Sequence, residues 1–155
     1  MKEFLQNKLK ARDILVLSIT GAFAALFLQW IILHSPLPEL FPAYDETVRE
    51  NMFSVPLPFQ VLLYVFLSPV YEELIFRLLL FVGAVRFLHM PLPVSALISS
   101  LIFGLYHGNM IQFCYASLFG LLLSYLTNRY KCVFAPIVSH SSANLITVFI
   151  RIILP

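Results

Sequence analysis

The sequence predicts an all-α fold, a polytopic membrane helix bundle of about five transmembrane helices. The first observation is composition: 60% of the 155 residues are hydrophobic and only 12% are charged, which leaves too little polar surface for a soluble domain of this size. The second is that apolar runs of about 20 residues, the length that crosses the hydrocarbon core, recur between short polar stretches. We therefore expect one integral membrane domain over residues 1–155.

The first apolar run covers residues 14–33 and follows a basic head that contains Lys2, Lys8, Lys10 and Arg12. A signal peptide has a similar outline, but its apolar region is shorter and ends at a cleavage site with small residues. The sequence "HSPLPEL" follows this run instead, so we interpret it as a retained first span.

Residues 34–58 are polar, acidic and rich in proline, which predicts a loop with a short surface helix near residues 44–53. The second span runs from residue 59 to 88 and is long for one crossing, so it is either tilted or broken at Pro69. Polar turns then separate three more spans, near residues 94–108, 110–127 and 133–154, the last turn being "NRYK" at residues 128–131.

The distribution of lysine and arginine predicts the orientation. The basic N-terminal head would be cytoplasmic, with the protein in the plasma membrane, and Arg86, Arg129 and Lys131 fall in the next two cytoplasmic loops. The acidic loop and the C-terminus would then lie outside, where Arg151 is an exception that can snorkel. The net charge of +2 is small and dispersed, so we expect no nucleic-acid partner.

Charged side chains inside these apolar runs need an explanation, because each costs at least about 2.5–3.5 kcal/mol at bilayer depth on insertion scales. Glu73 and Arg77 are four residues apart on span two and can form an ion pair along one helix face. Glu72 points about 100° away from Glu73. It is therefore a carboxylate that does not share the Arg77 partner, and it must face water or be neutralised. A glutamate of this kind near a histidine is typical of a general base.

The other polar residues pair at the same helical spacing. Phe103 and His107 share a face of span three, and His140 and Asn144 share a face of span five. His107, His140 and Asn144, together with Glu72, could activate a water and bind an oxyanion. An ion or proton pathway and hydrogen bonding between helices remain alternatives.

A zinc site is a further alternative, since Glu72, His107 and His140 would leave an open coordination position. No HExxH motif is present. The two cysteines, Cys114 and Cys132, form no CxxC pair and are expected to be packing residues. No cofactor is therefore firmly predicted, and zinc stays possible.

Three motifs resemble those of the CPBP family, whose name joins CAAX prenyl proteases and bacteriocin-processing enzymes and which is also called Abi. "EELIFR" (residues 72–77) matches EExxxR, "FGLYH" (103–107) matches FxxxH, and "HSSAN" (140–144) matches HxxxN. The motifs occur in the family's order on three separate apolar helices. The resemblance covers about residues 59–149.

This resemblance implies an intramembrane endopeptidase that hydrolyses a peptide bond of a membrane-associated peptide or protein. Glu72 would activate water with help from His107, and His140 and Asn144 would stabilise the oxyanion. Glu73, Arg77 and Phe103 would support them. The short chain suggests leader peptides or bacteriocin precursors as substrates rather than prenylated proteins. A non-enzymatic scaffold, a bacteriocin-immunity factor, or a small transporter or proton pathway is the alternative.

Overall fold

The structure is a computed structural model and describes residues 2–44 and 55–153. Every regular element in these two ranges is a helix, which confirms the all-α prediction there. The helices are α1 (Lys2–Gln6), α2 (Ala11–Leu33), α3 (Leu37–Leu40), α4 (57–87), α5 (Leu92–Tyr106), α6 (Met110–Tyr130) and α7 (Phe134–Ile153). Apart from Tyr44, the predicted surface helix near residues 44–53 lies outside the described residues.

Three of the described helices, α2, α6 and α7, are long and apolar enough to cross a membrane, and α5 is a shorter apolar helix. The outer face of α2 carries large apolar side chains, and Ile19, Phe23 and Trp30 are each more than half exposed. Contiguous apolar surface of this kind is unfavourable in water and suits a lipid environment. The chain is therefore an integral membrane protein, with three of the expected spans evident from length and composition alone.

Helix α4 is continuous through Pro69, so the break that was one predicted alternative does not occur. The stretches Val61–Leu67 and Leu74–Val82 are π-helical and flank the α-helical stretch Ser68–Glu73. Proline lacks an N–H, and its ring clashes with the carbonyl of the preceding turn. The wider π-helical turn before Pro69 accommodates that ring without ending the helix.

Two features near the basic N-terminal head differ from the prediction. Helix α6 continues to Tyr130, so most of the predicted "NRYK" turn is helical, and the chain turns instead at Lys131, whose φ of 48° is left-handed. The short helix α1 was not predicted. Its Phe4 is buried against Leu78, Phe81 and Val133, which fixes the basic head to the bundle.

The bundle brings the predicted motifs together through contacts between neighbouring helices. Helix α7 packs along α2, where the Ser139 hydroxyl donates to the Leu17 carbonyl at 2.7 Å. Helix α5 packs on α6 and on the second π-helical stretch of α4, where the Ser99 hydroxyl donates to the Phe76 carbonyl at 2.5 Å. The α4, α5 and α7 motifs therefore face one another inside the bundle.

Candidate active site inside the bundle

The two adjacent glutamates lie on the α-helical stretch of α4 between its π-helical stretches. Both are buried, with Glu72 5% exposed and Glu73 fully enclosed. Fully enclosed carboxylates require charged or hydrogen-bonding partners. Glu73 pairs with Arg77, as the helical spacing predicts, and both glutamates face His140.

Arg77 is the cationic partner of Glu73. Its Nε lies 3.1 Å from Glu73 Oε2, and both side chains are fully buried. The angles at this contact do not satisfy a hydrogen bond, so the interaction is an ion pair. The Arg77 guanidinium also sits over the Phe103 ring, 4.6 Å from its centroid, which is a cation–π distance. A Cβ at Gly120 would stand 3.2 Å from Arg77 Nη2, so glycine there leaves room for the guanidinium.

His140 connects the two glutamates. Its Nδ1 lies 2.9 Å from Glu73 Oε1, and its Nε2 lies 3.7 Å from Glu72 Oε2. The first distance is a hydrogen bond, in which Nδ1–H donates to the carboxylate, whereas the second is too long for one. Phe103 and Phe119 pack edge-on against the imidazole, at 5.7 and 5.6 Å between centroids. His140 is thus held from three sides, with Nε2 directed towards Glu72.

Asn144 lies one turn beyond His140 on α7. Its Nδ2 donates to the Tyr64 carbonyl at 2.8 Å, and Tyr64 belongs to the first π-helical stretch of α4. A primary amide has two N–H groups. One of them anchors Asn144 to α4, and the second is available to another acceptor.

His107 is the C-cap of helix α5, and two features fix its position. Its Nδ1 donates to the Phe103 carbonyl at 2.8 Å, which leaves Nε2 available. Gly108 follows with φ of 74°, a left-handed conformation that favours glycine. Asn109 then begins α6, because its side-chain oxygen accepts from the Gln112 N–H at 2.8 Å.

A cavity of about 320 Å³ collects the predicted site residues. Glu72, His107, His140, Asn144 and Phe103 all line it. Glu73 and Arg77 do not line it and lie behind His140. Within the described part, Glu72 and His107 share this cavity without an ion pair or hydrogen bond between them, so assistance from His107 stays a prediction.

The cavity lies at one end of the bundle. Leu33 at the end of α2, Gln112 at the start of α6 and Arg151 near the end of α7 line it, and the acidic loop connects to the same end. Arg151 therefore belongs to the lining of the cavity. Among the described lining residues, Glu72 is the only carboxylate and Arg151 the only lysine or arginine.

The candidate metal ligands are Glu72, His107 and His140, which all line the cavity. In residues 2–44 and 55–153, no group of three histidine, cysteine, aspartate or glutamate side chains converges in a way that would hold a metal ion. The hydrogen bond that His140 makes to Glu73 and the one that His107 makes to a backbone carbonyl both use Nδ1, so Nε2 is the nitrogen of each ring that a metal could reach, and these bonds alone do not decide against one. Because these three side chains do not converge, the set of Glu72, His107 and His140 does not fit a zinc site in this arrangement.

Several site residues were not identified from the sequence. They are the Tyr64 carbonyl that holds Asn144, the Phe119 ring against His140, and a hydroxyl pair between Tyr71 and Tyr106 at 2.9 Å. The contact of His140 with Glu73 was also missed. Tyr71 and Tyr106 each precede a motif residue, Glu72 or His107, and this adjacency was the available signal. The other contacts join separate helices and leave no trace in helical spacing.

The fold and the site define a helical integral membrane protein with a glutamate–histidine cavity inside its bundle. The family described as "Type II CAAX prenyl endopeptidase Rce1-like" matches residues 54–146, more than half of the chain. The chain therefore belongs to the Rce1-like CAAX protease family, which includes intramembrane proteases, as the sequence motifs indicated. No curated protein and no solved structure matches it.

Proposed function

We propose that this protein is an intramembrane endopeptidase that cleaves a membrane-associated peptide or protein by general-base activation of water. The observation that carries the proposal is the arrangement of Glu72 and His140, whose facing atoms are 3.7 Å apart in a cavity. A water beside both atoms can lie within about 3 Å of each, as general-base catalysis requires. Family membership supports the same reaction class.

In the first step, Glu72 accepts a proton from water, and the oxygen of that water attacks the scissile carbonyl carbon. The electrons of the carbonyl π bond move onto its oxygen, which becomes negatively charged. The second Nδ2–H of Asn144 donates to it, as does His140 through Nε2 in its doubly protonated form. Donors fixed in advance lower the energy of such an oxyanion most. The Glu73 contact and the Tyr64 carbonyl supply this fixation.

In the second step, the tetrahedral intermediate collapses and the C–N bond breaks. Protonated Glu72 gives its proton to the leaving nitrogen, so the carboxylate is regenerated and atoms and charges balance. Glu73 and Arg77 act as positioning residues in this scheme. Glu73 holds His140, Arg77 balances the charge of Glu73, and neither of them touches the water or the substrate.

We further propose that the chain crosses the plasma membrane about five times, with its N-terminus in the cytoplasm. Helix α4 extends for about 45 Å at 1.5 Å per residue, which exceeds the hydrocarbon thickness of about 30 Å and favours a tilted crossing. Since the basic loops mark the cytoplasmic side, the cavity at the other end opens away from the cytoplasm. A peptide presented from outside or from within the bilayer is then the substrate.

Cysteine-accessibility labelling of intact cells tests this orientation. With Cys114 and Cys132 replaced by alanine, a membrane-impermeant maleimide is expected to label Asp45→Cys from outside and Asn128→Cys only after the cells are opened. Labelling of Asp45→Cys only from the cytoplasmic side contradicts the orientation.

The reaction is tested in proteoliposomes with a mixture of synthetic apolar peptides of about 20–30 residues, long enough to cross the bilayer. Mass spectrometry is expected to find new peptide termini with the wild-type protein and none with Glu72→Gln. A chelator is expected to leave the rate unchanged. Loss of activity on removal of a stoichiometric zinc, with recovery on its return, would overturn the metal-free mechanism. Ion flux without any cleavage would favour the transporter alternative.

A further inference from the structure

A second cavity, of about 220 Å³, lies at the opposite end of the bundle. We refer to this space, between α1, the last turns of α4, the start of α5 and the turn after α6, as the basic-end cavity. Its apolar wall includes Phe4, Val82, Val85 and Leu92. No motif of the candidate active site contributes to it.

The N-terminal wall of the basic-end cavity is fixed to the bundle. Phe4 is only 7% exposed, and its carbonyl accepts a hydrogen bond from the Val133 N–H at 2.9 Å. The Asn7 side chain donates to the Lys131 carbonyl at 3.0 Å, and the Cys132 thiol donates to the Asn7 carbonyl at 3.1 Å. These contacts join positions more than 120 residues apart, so the tertiary fold holds this wall of the cavity in place.

Two cations line the rim of this cavity, Arg86 from α4 and Lys131 from the turn. Both side chains are exposed. The Lys131 ammonium donates one hydrogen bond, to the Asn128 side chain, and has three N–H groups, so two remain. Glu3 is the one carboxylate among the described residues of the lining, and two cations against it leave a net positive rim.

The surroundings add to this charge. Five more basic residues lie in the flanking N-terminal segment and at the end of α6: Lys2, Lys8, Lys10, Arg12 and Arg129. Helices α2, α6 and α7, which have the length to cross a membrane, all have an end on this side. The basic-end cavity therefore lies where lipid headgroups meet the protein. Basic pockets between transmembrane helices at this level bind the headgroups of anionic lipids.

We propose that the basic-end cavity binds one anionic phospholipid. Its phosphate would accept charge-assisted hydrogen bonds from Arg86 and Lys131, and its acyl chains would lie against Val82, Val85 and Leu92. The apolar wall favours a lipid over free phosphate, because inorganic phosphate has nothing to bury there. The site is independent of the proposed peptidase reaction.

The test uses the full-length protein in a neutral detergent and measures binding by native mass spectrometry. The probes are phosphatidylglycerol, phosphatidylcholine and inorganic phosphate. Phosphatidylglycerol is expected to bind at least about tenfold more tightly than phosphatidylcholine, and the double variant Arg86→Gln, Lys131→Gln is expected to lose about tenfold or more of that affinity. Arg129→Gln is the matched control, since it removes a cation of the same end that does not line the cavity.

Three results would overturn the proposal. One is equal binding of the two lipids by the wild-type protein. Another is an equal loss of affinity in Arg129→Gln and in the double variant, which would show diffuse attraction to the basic end. The third is inorganic phosphate displacing phosphatidylglycerol at equal concentration, which would make this a plain phosphate site. Because Arg86 is exposed, Arg86→Gln alone provides a second variant if the double variant folds poorly.

Discussion

The two ends of this bundle differ in whether their charged side chains are buried or exposed. At the cavity end, titratable groups are buried: the Glu73–Arg77 ion pair is fully enclosed, and the His140 imidazole is 5% exposed. At the basic end, Arg86 and Lys131 remain exposed, and an apolar residue, Phe4, provides the anchor. A buried charge depends on the few partners that the bundle supplies, which for Arg77 are the Glu73 carboxylate and the Phe103 ring, whereas an exposed charge is solvated by water. Substitutions at the cavity end should therefore have large and coupled effects, and those at the basic end small and local ones.

The largest expected effect is on stability, from Arg77→Ala. This change leaves Glu73 as a buried charge without its cation, and breaking a buried pair costs about 3–5 kcal/mol. Denaturant unfolding in detergent should show this loss. The exposed Arg129→Ala, the control, should stay within about 0.5 kcal/mol of the wild type.

A double substitution tests the same ion pair by removing both of its charges. Glu73→Gln with Arg77→Met removes both charges, and it should recover much of the stability that Arg77→Ala loses. If Arg77→Ala instead folded as well as the wild type and lost only activity, Arg77 would belong to the catalytic site, and the interpretation of Glu73 and Arg77 as a structural pair would be wrong.

The next effect concerns Asn144. Asn144→Asp keeps the size of the side chain but removes both N–H donors, so the bond to the Tyr64 carbonyl and the proposed oxyanion contact are lost together. Removal of one such donor typically lowers kcat by about 10²–10³-fold. Leu145→Ala, on the exposed side of the same helix, should change kcat little. An unchanged kcat in Asn144→Asp would remove this residue from the oxyanion site.

The smallest expected effect is at the basic end, from Phe4→Ala. A fully buried phenylalanine contributes about 3–5 kcal/mol in a protein core, but a terminal helix can open by itself without unfolding the bundle. We expect faster hydrogen exchange at the Val133 amide, which bonds to the Phe4 carbonyl, and cleavage within about twofold of the wild type. Leu5→Ala, on the exposed face of α1, is the control. Loss of activity in Phe4→Ala would contradict this expectation and show that the basic end is coupled to the active site.

The sequence contained most of the helical framework and each motif residue, because the period of a helix determines which residues share its own face. The pairing of Glu73 with Arg77 was predictable for that reason. Contacts between helices were not, because they depend on how each helix is rotated and how deeply it sits. The hydrogen bond of His140 to Glu73 and that of Asn144 to the Tyr64 carbonyl belong to this second kind.

The course of α4 shows a further limit of the sequence. Pro69 predicted an irregularity, but not its form, which is a π-helical stretch that packs against α7 rather than a break. The anchoring of the basic head by Phe4 was also beyond reach, since a single aromatic residue among lysines does not specify where it will pack.

We infer that Glu72 performs the chemistry while its neighbour Glu73 holds His140 and pairs with Arg77. Single-turnover peptide cleavage, with the melting temperature of each sample recorded beside it, tests this most directly in Glu72→Gln and Glu73→Gln. We predict that Glu72→Gln lowers the rate about 10²-fold or more with an unchanged melting temperature, and that Glu73→Gln lowers the melting temperature because Arg77 is left buried without an anion. Cleavage at the wild-type rate by Glu72→Gln would contradict the account.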